Sequence, residues 1–128
     1  VKANKFLNDT IILSRKIEKH KFIRASIAYG SLSRGCYKKT SDIDIRLIPT
    51  EGGWWLTALY AVWLRIWAFF VHYPLDMYCY DPEVVVKKMR TDEFPIMVNE
   101  REKCMIQWYP ERVEFKDFIK VFTEKNIQ

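Results

Sequence analysis

Between Trp54 and His72 the chain is apolar except for Thr57, Arg65 and His72. A run of that length reads as a helix, and it constrains whatever surrounds it. About 20 apolar residues would span a bilayer. Against that, Arg65 sits mid-run, where a charge costs about 3 kcal/mol on insertion scales, and the flanking segments read as strands of one compact unit. No membrane insertion is therefore expected. A helix this apolar on nearly every side cannot bury all of itself on one sheet. Trp55, Leu59, Val62, Ile66 and Phe69 are expected to face the core, leaving Tyr60, Trp63, Trp67 and Phe70 as a second stripe. That stripe is either a surface for self-association or a partner, or it lies under the C-terminal helix in an unusually thick core.

The segments around the run supply the rest of the fold. Residues 4–20 place Phe6, Thr10, Leu13 and Ile17 on one stripe of an amphipathic helix. Residues 22–29 read as a strand stopped by Gly30. Residues 42–48 alternate strictly, with Ile43, Ile45 and Leu47 opposite Asp42, Asp44 and Arg46. Glu51-Gly52-Gly53 breaks the chain before the apolar run. Residues 75–80 form a third strand, Asp81-Pro82 opens a helix to about Arg90, and residues 103–109 form a fourth strand ended by Pro110. Over 111–125, Phe115, Phe118, Ile119 and Phe122 are spaced as a helical stripe. The expectation is one domain over 1–128, of α/β (α+β) class, with a mixed four-stranded sheet and flanking helices.

Charge is unevenly placed. Residues 1–40 hold ten Lys/Arg against two acids, and residues 41–128 hold eleven against fourteen. The basic excess belongs to the first third, which suggests an anionic partner, although a solvated basic helix face would look the same. Three cysteines without CxxC spacing argue against a disulfide scaffold or a zinc site and fit a cytoplasmic protein. His20 and His72 lack partners at metal-ligand spacing, which removes most histidine-dependent hydrolases.

Three features point to chemistry. Gly30-Ser31 ends a strand, where a glycine lets the backbone approach a bulky anion and the next helix offers free N–H groups. Asp42 and Asp44 project from one strand face, about 6–7 Å apart. Two carboxylates so placed repel unless something positive lies between them, and Mg²⁺ answers that need where phosphates complete its shell. Asp76 opens the next strand and joins the pair if the two strands are neighbours. Three acids around two metal ions suit in-line phosphoryl or nucleotidyl transfer.

The segment GSLSRGCYKKTSDIDI, residues 30–45, resembles the nucleotidyltransferase signature of the DNA polymerase beta-like superfamily. The match is close to the small, single-domain minimal nucleotidyltransferases (MNT-type) often encoded beside helical HEPN-domain proteins. LDMYCYDPEVVVKKM resembles that branch's third-carboxylate strand and following helix. The resemblance covers roughly residues 22–109. It implies that Gly30 and Ser31 bind the triphosphate, that Asp42 and Asp44 ligate two Mg²⁺ ions, and that Asp76 ligates the catalytic ion and helps activate the acceptor hydroxyl. Arg34, Lys38 and Lys39 are phosphate neighbours. Arg46 departs from the family, which carries an apolar residue there; it is expected to pair with Asp44 or Asp76, or else to reach a phosphate.

The function implied is transfer of NMP, AMP from ATP, to a hydroxyl of a partner protein or small molecule. One specific case is the antitoxin of a HEPN-type toxin–antitoxin pair. The alternatives are a catalytically weak or inactive binding module that docks through its aromatic helix, and a nucleic-acid binder using the basic first third. A homo-oligomer through the helix of residues 54–72 remains open beside the HEPN-type partner.

Overall fold

The computed structural model describes residues 3–29, 43–79, 95–101 and 111–126. Eight elements follow in order: α1 (Ala3–Glu18), β1 (Ile23–Tyr29), β2 (Ile43–Pro49), α2 (Trp54–Phe70), β3 (Leu75–Cys79), β4 (Ile96–Glu100), β5 (Val113–Glu114) and α3 (Phe115–Asn126). The strands form one mixed sheet in the order β3-β2-β1-β4-β5. β1 lies antiparallel to both β2 and β4, whereas β2–β3 and β4–β5 are parallel. The parallel β2–β3 pair needs a crossover, and α2 supplies it.

Among the described residues the sheet has five strands, one more than expected. Ile96–Glu100 is a strand that was not expected, and Val113–Glu114, expected as the start of the last helix, pairs beside it. Both are too short, at five and two residues, for alternation to announce them. β4 pairs with β1 and β5 with β4, and a buried ion pair lies at this end of the sheet. There Arg112 Nη1 donates to Glu100 Oε2 at 2.6 Å, with the two side chains 6% and 7% exposed. The strand expected over 103–109, the helix from Asp81 to Arg90 and the short helix after β1 lie outside the described residues.

One core joins the sheet to the three described helices. Phe6, Leu13 and Ile17 of α1, Ile43, Ile45 and Leu47 of β2, Met77 of β3, and Phe118 and Phe122 of α3 are buried in it. The α1 stripe and the β2 alternation thus behave as the residue pattern requires. Thr10 completes the α1 stripe without an orphaned hydroxyl, since its Oγ1 bonds to the Phe6 carbonyl and lies 2.7 Å from the Tyr73 hydroxyl.

The β2–α2 turn is built around one carbonyl. Phe22 O accepts bonds from Thr50 N (2.9 Å), Thr50 Oγ1 (3.2 Å) and Thr57 Oγ1 (3.1 Å). Gly52 has φ +78°, and a Cβ at Gly53 would stand 2.9 Å from the same Phe22 carbonyl oxygen, so the Gly-Gly pair is required by shape. At its other end, α2 stops in a left-handed turn at His72 (φ 58°), with Tyr73 N bonding back to Ala68 O at 2.8 Å. Lys5 Nζ reaches the Val71 carbonyl at 2.6 Å and ties α1 to this end.

α2 sits on the sheet the other way round from the expectation. Thr57, Ala61, Leu64 and Ala68 face the core, while Trp55, Leu59, Val62, Ile66 and Phe69 are exposed. Of the second stripe, Tyr60 and Trp67 pack partly against the core, whereas Trp63 and Phe70 are exposed. The physical reason is close approach. Small side chains let the helix backbone lie near β2 and β3, and the large ones fit only on the far side.

Candidate functional site

Strand alternation decides which side chains share the face away from the helical core. Ile43, Ile45 and Leu47 point into the core, so Asp44 and Arg46 point the other way. On β3, Met77 is buried in the core, and Asp76 and Tyr78 point with Asp44. The parallel register then pairs Asp44 with Asp76 and Arg46 with Tyr78. Residues paired this way on neighbouring strands lie about 4.8 Å apart across the sheet. The condition set by the sequence, that the strands carrying Asp44 and Asp76 be neighbours, is met, and the two residues stand in register.

Asp44 is flanked on its other side by Tyr29, the last residue of β1. It lies near the N-terminal end of β2, and Asp76 is the second residue of β3, so the acidic pair stands at one rim of the sheet. Both carboxylate residues are partly exposed. Further along the same face, Ala25, Ile27, Ile48 and Met97 are buried. The acidic row therefore borders an apolar, water-poor strip, where charge is less well screened.

Arg46 stands one row behind the acids. Its guanidinium lies 4.8 Å from the ring centroid of Tyr78, and Nη1 donates to the Ile45 carbonyl at 3.3 Å. The guanidinium of Arg65, from the outer side of α2, lies 4.8 Å from the same ring. One tyrosine thus gathers two cations beside two carboxylates. Sequence reasoning passed over Tyr78 and treated Arg65 only as an interruption of the apolar run. The signal was available in the alternation: Tyr78 is two residues after Asp76, as Arg46 is two after Asp44.

Two adjacent carboxylates are hard oxygen donors suited to a divalent cation. Among the described residues no group of three or more His, Cys, Asp or Glu gathers as a metal site. Asp42, the remaining candidate carboxylate, lies outside the described residues. So do the candidate phosphate-binding residues Gly30, Ser31, Arg34, Lys38 and Lys39.

A cleft of about 770 Å³ lies elsewhere. It is lined by Ile23, Arg24, Thr50, Glu51 and Arg101, among others, at the opposite end of β1 and β2 from Asp44. Arg101 gives its donors there to the carbonyls of Glu18, His20 and Ile23. Those bonds tie the α1–β1 turn to β4. Among the described residues no helix is long and apolar enough to cross a membrane. At 17 residues, α2 is about 25 Å long, short of the ~30 Å hydrocarbon core.

Neither a protein-family model nor a curated protein matches the chain. Among solved structures, the chain is similar to one described as a toxin-antitoxin with AMP-PNP, at 14% identity and a TM-score of 0.45, over 91% of this chain and 86% of that one.

Proposed function

We propose that the chain is a metal-dependent nucleotidyltransferase that moves AMP from ATP onto a hydroxyl of a partner protein or small molecule. The observation that carries this reading is the register pairing of Asp44 with Asp76 on adjacent parallel strands. Asp44 belongs to the Asp42-Ile43-Asp44 motif, so the pairing adds a carboxylate from 32 residues further on to the one stretch of sequence with a recognisable signature. The buried apolar strip beside the pair is the second support, because it limits the water that would compete for the acids.

In this reading Asp42, Asp44 and Asp76 would hold Mg²⁺, which when bound would neutralise charge on the triphosphate and on the departing pyrophosphate. Gly30 and Ser31 bind the phosphates through backbone N–H and hydroxyl donors, with Arg34 and Lys39 nearby. Asp76 orients the acceptor hydroxyl and takes its proton. The acceptor oxygen bonds to the α-phosphorus, and the bond from that phosphorus to pyrophosphate breaks. Arg46, held over Tyr78, places a fixed positive charge behind the acids and offsets their repulsion before nucleotide arrives. The acceptor fits the antitoxin case, in which a HEPN-type ribonuclease is modified or masked.

The test is transfer of label from α-labelled ATP with Mg²⁺ to a co-purifying HEPN-type protein. The wild type is expected to label it, and Asp44→Asn and Asp76→Asn to reduce the rate by at least ~10³-fold. Equal labelling by wild type and both variants would overturn the reading. A second reading, a docking module without catalysis, is favoured by the exposed outer face of α2. It predicts that Mg·ATP does not bind at millimolar concentration, as titration calorimetry would detect.

A further inference from the structure

The outer face of α2 is apolar, continuous and symmetric. Its exposed large residues are Trp55, Leu56, Leu59, Val62, Trp63, Ile66, Phe69 and Phe70, with Trp54 at the first turn. At 3.6 residues per turn, the eight from Trp55 onward fall within an arc of about 140°, centred opposite the core-facing Thr57, Ala61, Leu64 and Ala68. Trp55 is 75% exposed, Leu59 66%, Phe69 77% and Phe70 73%. Together with Trp54, these side chains present on the order of 1,000 Å² of apolar surface, against the ~800 Å² per partner of a standard interface. Scattered exposed apolar residues are ordinary on a monomer; a patch of this size is not.

The spacing identifies the occupant. Trp55, Leu59, Val62, Ile66 and Phe69 follow one another at intervals of four, three, four and three residues, the spacing of a helix–helix seam. The eight positions are also a palindrome about the 62–63 midpoint. Turning the helix end for end therefore lays the set onto itself. Trp55 then meets Phe70 of the second copy, Leu56 meets Phe69, Leu59 meets Ile66, and Val62 meets Trp63. Aromatic rings meet at the two ends and beside Val62 at the centre, with the Leu59–Ile66 contacts between them. The charged residue of α2, Arg65, lies at the rim over Tyr78, so it stays out of the contact. A two-fold interface requires a patch complementary to itself, and this one has that property in its residue positions.

We infer that two copies of this chain pair through α2, antiparallel, about a two-fold axis near Val62 and Trp63. The pairing rests on the helix face alone and does not depend on the nucleotidyl-transfer reading. The contact surface does not include Asp44 or Asp76.

Sedimentation equilibrium on the full chain tests this. The wild type is expected to be a dimer at micromolar concentration. Leu59→Lys and Ile66→Glu, both at exposed positions and so compatible with folding (checked by circular dichroism), are each expected to weaken self-association by about 100-fold. Mixing the two variants is the decisive arm. An antiparallel pair sets the introduced ammonium of the Leu59→Lys copy against the introduced carboxylate of the Ile66→Glu copy. The native Ile66–Leu59 contact is kept at the other end, so a mixed dimer forms again. A parallel pair gives no such match. A wild type that stays monomeric at about 100 μM overturns the inference, including one that instead binds lipid vesicles or a helical partner protein. A dimer insensitive to Leu59→Lys, or variants that fail to restore each other, overturns it as well.

Discussion

On the sheet side of α2 stand Thr57, Ala61, Leu64 and Ala68; on the far side stand Trp55, Leu59, Val62, Ile66 and Phe69. The larger and more apolar set is the one in water. Hydrophobicity alone would have reversed the helix. Depth of packing decided otherwise, because small side chains on the inner face let the crossover helix lie close to β2 and β3. At its start Thr57 Oγ1 also reaches the Phe22 carbonyl, and at its end Tyr73 N closes a local turn on Ala68 O. The helix is thus placed by its anchors and its small face, while its large face remains for another molecule.

The strongest challenge to that contrast is a matched pair of truncations. Leu64 is fully buried, and Leu64→Ala is expected to cost about 2–5 kcal/mol in urea unfolding. Leu59→Ala, measured at low protein concentration so that self-association does not contribute, is expected to change stability by no more than about 0.5 kcal/mol. Equal costs would mean that the outer face is packed within one chain.

A pH titration probes the anchor at the inner end. Tyr73 is 4% exposed and packs against Phe6 and Trp67. Burial pushes its phenol far above the usual tyrosine range; the bond to Thr10 opposes this, and the nearby Asp9 carboxylate adds to it. The folded chain therefore holds a proton that the unfolded chain gives up near pH ~10. The stability due to the neutral phenol is complete below that pH and is lost as pH rises above it, by up to about 1.4 kcal/mol per pH unit. Comparing wild type with Tyr73→Phe isolates this slope, which the variant is expected to lack.

The smallest effect concerns the stop of the helix. His72 holds φ 58° with a side chain that gains nothing from that geometry by shape. His72→Gly is expected to raise the unfolding free energy by about 1 kcal/mol. Thermal melts of the two proteins would show a higher midpoint for the variant; a lower one would mean that the histidine side chain anchors the turn.

Much of this protein is readable from residue order. The α1 stripe, the alternation in β2, the Gly-Gly break and the helix after it depend on periodicity and local turn chemistry, and those act over a few residues. Asp44 and Asp76 could each be marked as candidates for the same reason. Their pairing could not, since register between strands separated by a 17-residue helix is set by how that helix packs. The same limit hid β4 and β5, whose strand character comes from pairing with their neighbours. It also hid which way α2 faces, because periodicity locates two faces but does not say which one the sheet will accept. Local pattern determined most of the elements and marked the acids as candidates. Long-range packing determined that the acids share a row and that the aromatic face stands in water, since both outcomes depend on contacts between segments far apart in the chain.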